Sequence, residues 1–207
     1  MFFAFCPWLE HSKLSTLLDS QGTHMLDRRH FIAGGLSVLA TPAIGFTLEP
    51  RYKPTTVAVS QKYAVGKLIV VPRGHFLYYV TAPGEALRYG VGVGRAGLEF
   101  QGTATIAYKR KWPDWRPTNE MIAREPNTYA KFKEDEAYRQ PGGPGNPLGS
   151  RALYLFQNGR DTYYRIHGTT APRSIGRSVS NGCIRMLNEH VNQLYEKVPV
   201  GTKVTVL

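Results

Sequence analysis

Residues 164–186 of the chain read Y-R-I-H-G-T-T-A-P-R-S-I-G-R-S-V-S-N-G-C-I-R-M. His167 ends a strand-like run, 162–167, in which alternation predicts Tyr163, Arg165 and His167 on one face. Cys183 follows the tight sequence Ser180-Asn181-Gly182. A thiol is a strong nucleophile as its thiolate, and a nearby imidazole can accept the thiol proton. Gly182 allows a sharp turn beside the sulfur, where a side chain would block an incoming carbonyl group. The backbone N–H groups of such a turn can face a developing oxyanion.

Taken alone, Cys183 and His167 would each more often have a structural role than a catalytic one. Isolated cysteines are often buried in cores, and isolated histidines are often satisfied core residues. The two residue types together, one on a glycine turn and one at a strand end, favour a catalytic pair instead. Other parts of the chain support this interpretation.

The stretch resembles the signature of the L,D-transpeptidase catalytic domain, whose members remodel bacterial peptidoglycan. The resemblance extends over roughly residues 66–207. The matching segments are H-G-T, I-G and S-x-G-C-I-R-M of the stretch, Asn146-Pro147-Leu148-Gly149, Leu194-Tyr195, Val198 and Val200-Gly201-Thr202. Two positions depart from it, because many members have histidine in place of Asn181 and some have asparagine in place of Arg185. The nucleophile and the base are unchanged by these differences.

The chemistry expected from these residues is acyl transfer through a thioester on Cys183, with His167 as the general base and acid. The resemblance implies a donor stem tetrapeptide that loses its terminal D-alanine, and an acceptor amine. It also implies that the Gly168 carbonyl orients His167, and that the N–H groups of Gly182 and Cys183 form the oxyanion hole. We expect neither a cofactor nor a metal. The expected substrate-binding residues are Ser180, Asn181, Arg185, Trp115 and Asn146.

Three other functions stay open at the level of sequence. Water in place of the amine would make the chain an L,D-carboxypeptidase or amidase. A structural Cys183 would leave a non-catalytic wall-binding module. A zinc site is the weakest alternative, because the spacings of its candidate ligands fit no known zinc pattern; those ligands are His75, His167, His190 and Cys183.

Arg185 fits two roles equally, binding a substrate carboxylate or bracing the loop.

The chain is basic, with a formal net charge of +11 over 207 residues. Residues 1–45 contain as many acidic as basic residues, so residues 46–207 carry the whole excess. A basic surface suits an anionic partner such as nucleic acid, a membrane surface or a wall polymer. No basic stripe with interleaved aromatic residues occurs, so we expect no nucleic acid as a partner. The resemblance implies peptidoglycan stem peptides as the partner.

Residues 1–45 are interpreted as an N-terminal extension followed by a signal segment. Arg28-Arg29 precede an apolar run at 31–45, and Thr41-Pro42-Ala43 offers small residues for cleavage. The arginine pair resembles a twin-arginine signal, and Met25 is the expected start of translation. The prediction is export to the periplasm or cell envelope, with membrane contact only through this segment if it is uncleaved. Cleavage would remove Cys6 and leave Cys183 as an unpaired thiol.

The remaining chain predicts a linker at 46–65 and a catalytic domain at 66–207. Short β-branched and aromatic runs, such as 68–71 and 151–157, separated by Pro-Gly turns predict a mostly β, sandwich-like or barrel-like fold. One convincing helix, 188–198, precedes the last strand; Asn188 is its expected cap, and Val191, Leu194 and Val198 form its expected inner face. Residues 109–150 predict an irregular loop and helix lid over the substrate groove, with candidate short helices near 120–124 and at 128–138. Gly92, Gly94 and Gly97 fit G-x-G-x-x-G, but the strand-like run that follows them argues against a dinucleotide site.

Overall fold

The computed structural model describes residues 46–207, so the predicted extension and signal segment lie outside the described residues. The described part is mostly β, which confirms the predicted fold class. Within it are eleven strands: β1 Thr55–Ala58, β2 Leu68–Val71, β3 Phe76–Ala82, β4 Glu85–Gly90, β5 Val93–Gly94, β6 Gly102–Lys111, β7 Arg151–Gln157, β8 Arg160–His167, β9 Ser178–Ser180, β10 Ile184–Arg185 and β11 Lys203–Val206.

Nine of the strands in residues 46–207 form one sheet, in the order β1-β4-β3-β2-β11-β6-β7-β8-β10. Most neighbours are antiparallel, but β11 pairs with β2 and β10 pairs with β8 in parallel. Strands β5 and β9 form a small parallel pair of their own. The parallel pairing of β10 with β8 matters most for function, because these two strands carry the region that holds Cys183 and His167.

The main core contains buried Val, Leu and Ile side chains from most strands of the sheet. Three α-helices occur in residues 46–207, namely α1 Asn119–Arg124, α2 Ala130–Glu134 and α3 Asn188–Lys197. Val191, Leu194 and Val198 are fully buried in the core, which confirms the predicted inner face of α3. No helix in the part of the chain that the structure describes is both long and apolar enough to span a membrane.

The predicted linker at 46–65 contributes to the sheet, which corrects that expectation. Strand β1 pairs along its length with β4, from Thr55 opposite Arg88 to Ala58 opposite Glu85. Tyr52 is buried and packs with Ile175 and Leu187 in a separate small cluster. Sequence favoured a linker because Pro, Thr, Ser and Lys dominate the segment, whereas an edge strand such as β1 needs few apolar residues.

Residues 112–150, between β6 and β7, are called the lid here. They contain α1 and the single-turn α2, which is shorter than the helix predicted at 128–138. The aromatic rings of the lid pack on one another, with Phe132 at the centre and Trp115, Tyr129 and Tyr138 around it. The Arg116 guanidinium donates to the carbonyls of Phe132, Asp135 and Tyr138, which closes the end of α2.

Candidate active site

The parallel register of β8 and β10 brings the two predicted catalytic residues to one place. Ile184 pairs with Ile166 and Arg185 pairs with His167, so Cys183 precedes β10 at the level of Arg165. Side chains two residues apart on a strand share a face, and residues in register on neighbouring strands also share one. Cys183, Arg185, Arg165 and His167 therefore lie on the same face of this strand pair.

His167 is buried and held by its own chain. Its Nδ1 lies 2.5 Å from the Gly168 carbonyl oxygen, which can only accept, so Nδ1 carries the proton. The other ring nitrogen, Nε2, is then the one available to take a proton. Burial lowers the pKa of His167 to about 3, with the nearby Arg185 guanidinium acting in the same direction. His167 is therefore neutral at pH 7, as a general base must be.

Cys183 is the free thiol in the described part of the chain. Its Sγ lies 3.7 Å from the carbonyl oxygen of Tyr163. Burial raises the pKa of the Cys183 thiol, whereas the guanidinium and backbone N–H of Arg165, and the guanidinium of Arg185, lower it. The resting site thus pairs a protonated thiol with a neutral imidazole, and the nearby positive groups favour the thiolate when the proton moves.

A bulge in β8 shapes the strand beside the sulfur, and this feature was not predicted. Tyr154 pairs with Arg165 but Phe156 pairs with Asp161, so three residues of β8 face one residue of β7. Tyr163, within the bulge, has φ of 61° and is 68% exposed. The predicted alternation of Tyr163, Arg165 and His167 on one face is therefore wrong for Tyr163. Such bulges commonly re-aim groups next to active sites, and here the Tyr163 carbonyl faces the thiol.

The turn before Cys183 is fixed by Ser180 and Gly182. The buried Ser180 hydroxyl donates to the Cys183 carbonyl at 2.6 Å and accepts from the Gly182 N–H at 3.1 Å. Gly182 has φ of 119°, and a Cβ there would lie 2.5 Å from both the Leu98 carbonyl oxygen and the Tyr164 ring. The structure therefore gives Ser180 a positioning role in the turn. It also gives the Gly182 N–H an acceptor within the protein.

Asn188 supports the loops around His167 instead of capping α3. The N-cap of α3 is Leu187, without a side-chain hydrogen bond, so the predicted capping role is wrong. Asn188 Oδ1 accepts from the backbone N–H groups of Ser150 and Thr169, and its Nδ2 donates to the Thr169 carbonyl. Gly168 allows this approach, because a Cβ there would collide with the Asn188 carboxamide.

Asn181 connects the catalytic turn with the lid. Its Oδ1 accepts from Arg95 Nη2 at 2.9 Å and from Arg124 Nη2 at 3.0 Å. Arg124 belongs to α1, and Arg95 also forms an ion pair with Glu125 at 3.2 Å. Asn181 was a predicted substrate-binding residue, whereas Arg95 and Arg124 were missed. They are 29 residues apart in sequence, and no motif links them.

Arg185 is half-buried on the same face as His167. Its backbone exchanges both hydrogen bonds with Gly92. Within residues 46–207, its guanidinium forms no hydrogen bond or ion pair with a protein group. Burial lowers the pKa of Arg185, while the Cys183 thiol and the Tyr129 hydroxyl act to raise it. An unpaired, partly desolvated guanidinium favours the carboxylate-binding role over the bracing role.

Trp115 and Asn146 have contacts within the lid itself. The Trp115 ring packs on Tyr129 and Phe132, and its backbone exchanges two hydrogen bonds with Gln140. Asn146 is 1% exposed and binds the carbonyls of Gln140 and Pro141 and the N–H of Leu148. These contacts build the lid, and a substrate contact for either residue stays a prediction.

The candidate zinc ligands are spread over separate parts of the structure. His75 Nε2 contacts the Ser178 hydroxyl at 3.0 Å, and the His190 ring packs near Tyr89. Among residues 46–207, no group of three His, Cys, Asp or Glu side chains is placed to hold a metal ion.

Comparison with known proteins gives a consistent result. The YkuD family model, the L,D-transpeptidase catalytic domain, matches residues 66–206. The probable L,D-transpeptidase ErfK/SrfK of Escherichia coli K12 is 37% identical over 147 residues, which cover 69% of this chain and 44% of that protein. A Fuscovulum blasticum protein named as an L,D-transpeptidase in the ATP synthase subunits region is 34% identical over 203 residues, covering 89% of this chain and all of that protein.

The same fold occurs in solved structures. A Brucella melitensis protein, described as a probable carnitine operon oxidoreductase, is 52% identical, with a TM-score of 0.52, over 77% of this chain and 96% of its own. The Ldtfm–avibactam carbamoyl enzyme is 16% identical with a TM-score of 0.51 over 70% of this chain and 49% of its own, a likeness of fold alone. The chain spans less than half the length of the E. coli relative. The family match over residues 66–206 confirms the resemblance, and the chain belongs to the L,D-transpeptidase catalytic domain family.

Proposed function

We propose that the protein is a cysteine peptidyltransferase that cross-links or remodels peptidoglycan stem peptides through an acyl-thioester on Cys183. One observation carries the proposal. The β8–β10 register brings a free thiol and a neutral histidine to one face, and the Gly168 carbonyl holds that histidine in the tautomer a base requires. Family membership supplies the substrate class.

In the acylation step, His167 Nε2 takes the Cys183 proton as Sγ attacks the peptide carbonyl of the donor. The tetrahedral intermediate collapses, the C–N bond breaks, and the imidazolium returns its proton to the departing D-alanine amine. Because the pKa of His167 is about 3, the imidazole is available as a base throughout the neutral range. The acyl group then stays bound to Cys183 as a thioester until an acceptor attacks it.

In the transfer step, an acceptor amine attacks the thioester carbonyl and His167 removes the amine proton. The C–S bond breaks, and the proton returns to Sγ, which restores the thiol. Water attacking the same thioester would give a hydrolase, so the chemistry of the acceptor alone separates transpeptidation from carboxypeptidase activity.

Two groups complete the site. The N–H of Cys183 is the remaining candidate for the oxyanion hole, since the N–H of Gly182 already donates to Ser180. Arg185, without a protein partner among the described residues, binds a carboxylate of the donor. Both assignments rest on the positions of these groups around Cys183.

The cell envelope is the proposed location, reached through the twin-arginine-like segment at 25–45. Peptidoglycan stem peptides are the proposed partner. The net charge of +11 carried by residues 46–207 suits an anionic wall polymer.

The oxidoreductase description of the Brucella protein is not extended to this chain. Of the three glycines that fit a dinucleotide motif, Gly92 bridges to Arg185 and Gly94 pairs with Ser180. The element that follows is strand β6, which offers no helix N-terminus to a pyrophosphate.

Mass spectrometry of muropeptides tests the proposed function. The full chain is incubated with tetrapeptide-rich wall, and the digest is compared with those from Cys183→Ala and His167→Ala. We expect new dimers whose mass is that of donor plus acceptor less one D-alanine. Cys183→Ala gives none, and His167→Ala lowers the rate at least about a hundredfold. Shortened tripeptides without dimers would indicate a hydrolase, and unchanged wall would contradict the proposal.

A further inference from the structure

The junction between the catalytic turn and the lid concentrates positive charge on one neutral atom. Two guanidinium groups, those of Arg95 and Arg124, donate to the same carboxamide oxygen, Asn181 Oδ1. Asn181 lies two residues before the Cys183 nucleophile. A third guanidinium, that of Arg185, lies close enough for Arg95 to lower its pKa. Three cations therefore lie near one another around the turn that precedes Cys183.

Few carboxylates lie near these three guanidinium groups to balance their charge. Within residues 46–207, Glu125 is the one carboxylate in contact with any of the three arginines, and it pairs with Arg95 across an exposed surface. Glu120 lies one turn before Arg124 on α1 and is fully exposed. Arg165, the other arginine beside Cys183, is already neutralised by a two-pronged ion pair with Asp161.

One amide oxygen is a weak partner for two guanidinium groups. A carboxylate has two oxygens, and its charge-assisted hydrogen bonds to arginine are roughly twice as strong as neutral ones. A carboxylate would also relieve the repulsion between two cations held at one point. Because Arg124 belongs to α1 and Arg95 precedes β6, a carboxylate bound by both would join the lid to the rest of the catalytic domain.

We propose that Arg95 and Arg124 form a carboxylate-binding site that selects peptide substrates with a free carboxylate over those with a carboxamide. This inference rests on the proposed function and adds a substrate requirement to it. On binding, the carboxylate replaces Asn181 Oδ1 as the acceptor for both guanidinium groups. The carboxylate belongs either to the donor terminus or to the acceptor, beside its reacting amine.

Paired substrates test the inference and identify the source. The donor arm compares a stem tetrapeptide ending in D-alanine with the same peptide ending in D-alaninamide. The acceptor arm compares D-methionine with D-methioninamide. Either acceptor replaces the terminal D-alanine of the donor, so the product differs in mass from the starting donor. The measured quantity is the ratio of kcat/KM for acid to that for amide, which is independent of the fraction of folded enzyme.

For the wild-type full chain, we expect the kcat/KM of the acid to exceed that of the amide by about tenfold in one of the two arms. This factor corresponds to the free energy of one charged hydrogen bond. Arg95→Gln with Arg124→Gln should lower that ratio severalfold, mainly through KM, and any preference left in the donor arm belongs to the unchanged Arg185. Arg139→Gln is the matched control, since Arg139 is also exposed and paired with one carboxylate, Asp114; it should keep the wild-type ratio. Equal acid-to-amide ratios in the wild type and the double variant, in both arms, would overturn the inference. Arg95 and Arg124 would then only hold the lid against the turn at Asn181.

Binding separates failure of this inference from failure of the proposed function. Calorimetry on Cys183→Ala compares the tetrapeptide with its amide and needs no turnover. Tighter binding of the acid, lost in the added Arg95→Gln and Arg124→Gln changes, supports a donor carboxylate site even if the wild type cross-links nothing. Turnover without discrimination between acid and amide, in both arms, contradicts the carboxylate site and leaves the transpeptidase proposal standing.

Discussion

The strands around the thiol and the lid beside them are built by different means. Residues 151–186, called the site core here, hold their shape through strand pairing and buried apolar side chains such as Leu153, Leu155 and Ile166. The lid has two helical segments of six and five residues. Its shape comes from a small aromatic cluster around Phe132 and from single polar side chains, among them Arg116 and Asn146, that bind backbone carbonyls.

The difference teaches where rigidity and adaptability belong in this site. A strand ladder opens only with the whole sheet, whereas a segment held by a small side-chain cluster and a few side-chain hydrogen bonds opens locally at a smaller cost. The proposed nucleophile and base thus lie on the part that cannot shift independently. Of the two arginines proposed to bind a substrate carboxylate, Arg124 lies on the part that can.

The same substitution in the two regions should have unequal effects. Gly182→Ala puts a side chain into a left-handed backbone and against a backbone carbonyl, so we expect a loss of about 4 kcal/mol in the free energy of unfolding, together with loss of activity. Gly145→Ala, in the lid with open space around it, should change stability by less than about 0.5 kcal/mol. Urea denaturation measures both, and equal effects would contradict the contrast.

Acid should destabilise the protein through His167, a residue of the site core. The pKa of His167 is lowered to about 3 in the folded protein, against about 6.5 in an unfolded chain, so the unfolded state binds the proton first. The stabilising contribution is complete above pH 6.5 and declines as the pH falls towards 3. At pH 4, the expected loss from this residue is about 3 kcal/mol.

Urea midpoints from pH 7 to pH 4 measure this loss in the wild type and in His167→Gln, which cannot titrate. The pKa values of His75 and His190 are also lowered by burial, and they contribute equally to both proteins. The lid contains no histidine. Parallel curves for the two proteins would show that His167 is not buried as a neutral base.

A smaller effect, confined to the lid, is expected at the start of α1. The Thr118 hydroxyl accepts from the Met121 N–H and caps this short helix. Thr118→Ala should destabilise the lid by about 1 kcal/mol while the global unfolding midpoint stays nearly constant. Hydrogen exchange should therefore speed up about fivefold at the amides of α1 alone. Thr118→Ser keeps the hydroxyl and should restore protection; faster exchange in β7 as well would mean that lid and site core open together.

The same contrast explains how much the sequence could reveal. Strands β2 and β7 and the inner face of α3 were predicted closely, because uninterrupted apolar runs and helical periodicity report burial directly. The His167–Cys183 pairing was also within reach, since both residues belong to one short family signature.

What the sequence could not reveal depends on contacts between distant residues. The bulge at Tyr163 breaks an alternation that the sequence displays without interruption, because pairing with β7 decides it. The sequence fits Asn188 equally well as the cap of α3 or as a residue that binds neighbouring loops. The positions of the Ser150 and Thr169 N–H groups decide between these roles. Arg95 and Arg124 meet only after the lid folds beside the catalytic turn.

The central claim is that Cys183 is an acyl-accepting nucleophile activated by His167. Intact-protein mass spectrometry after incubation with a carbapenem, a strained acyl donor, tests this claim most directly. We expect one covalent adduct on the wild type, mapped to Cys183, much slower formation on His167→Ala, and none on Cys183→Ala. An adduct that persists on Cys183→Ala, or a folded wild type that never forms one, would contradict the assignment of the nucleophile.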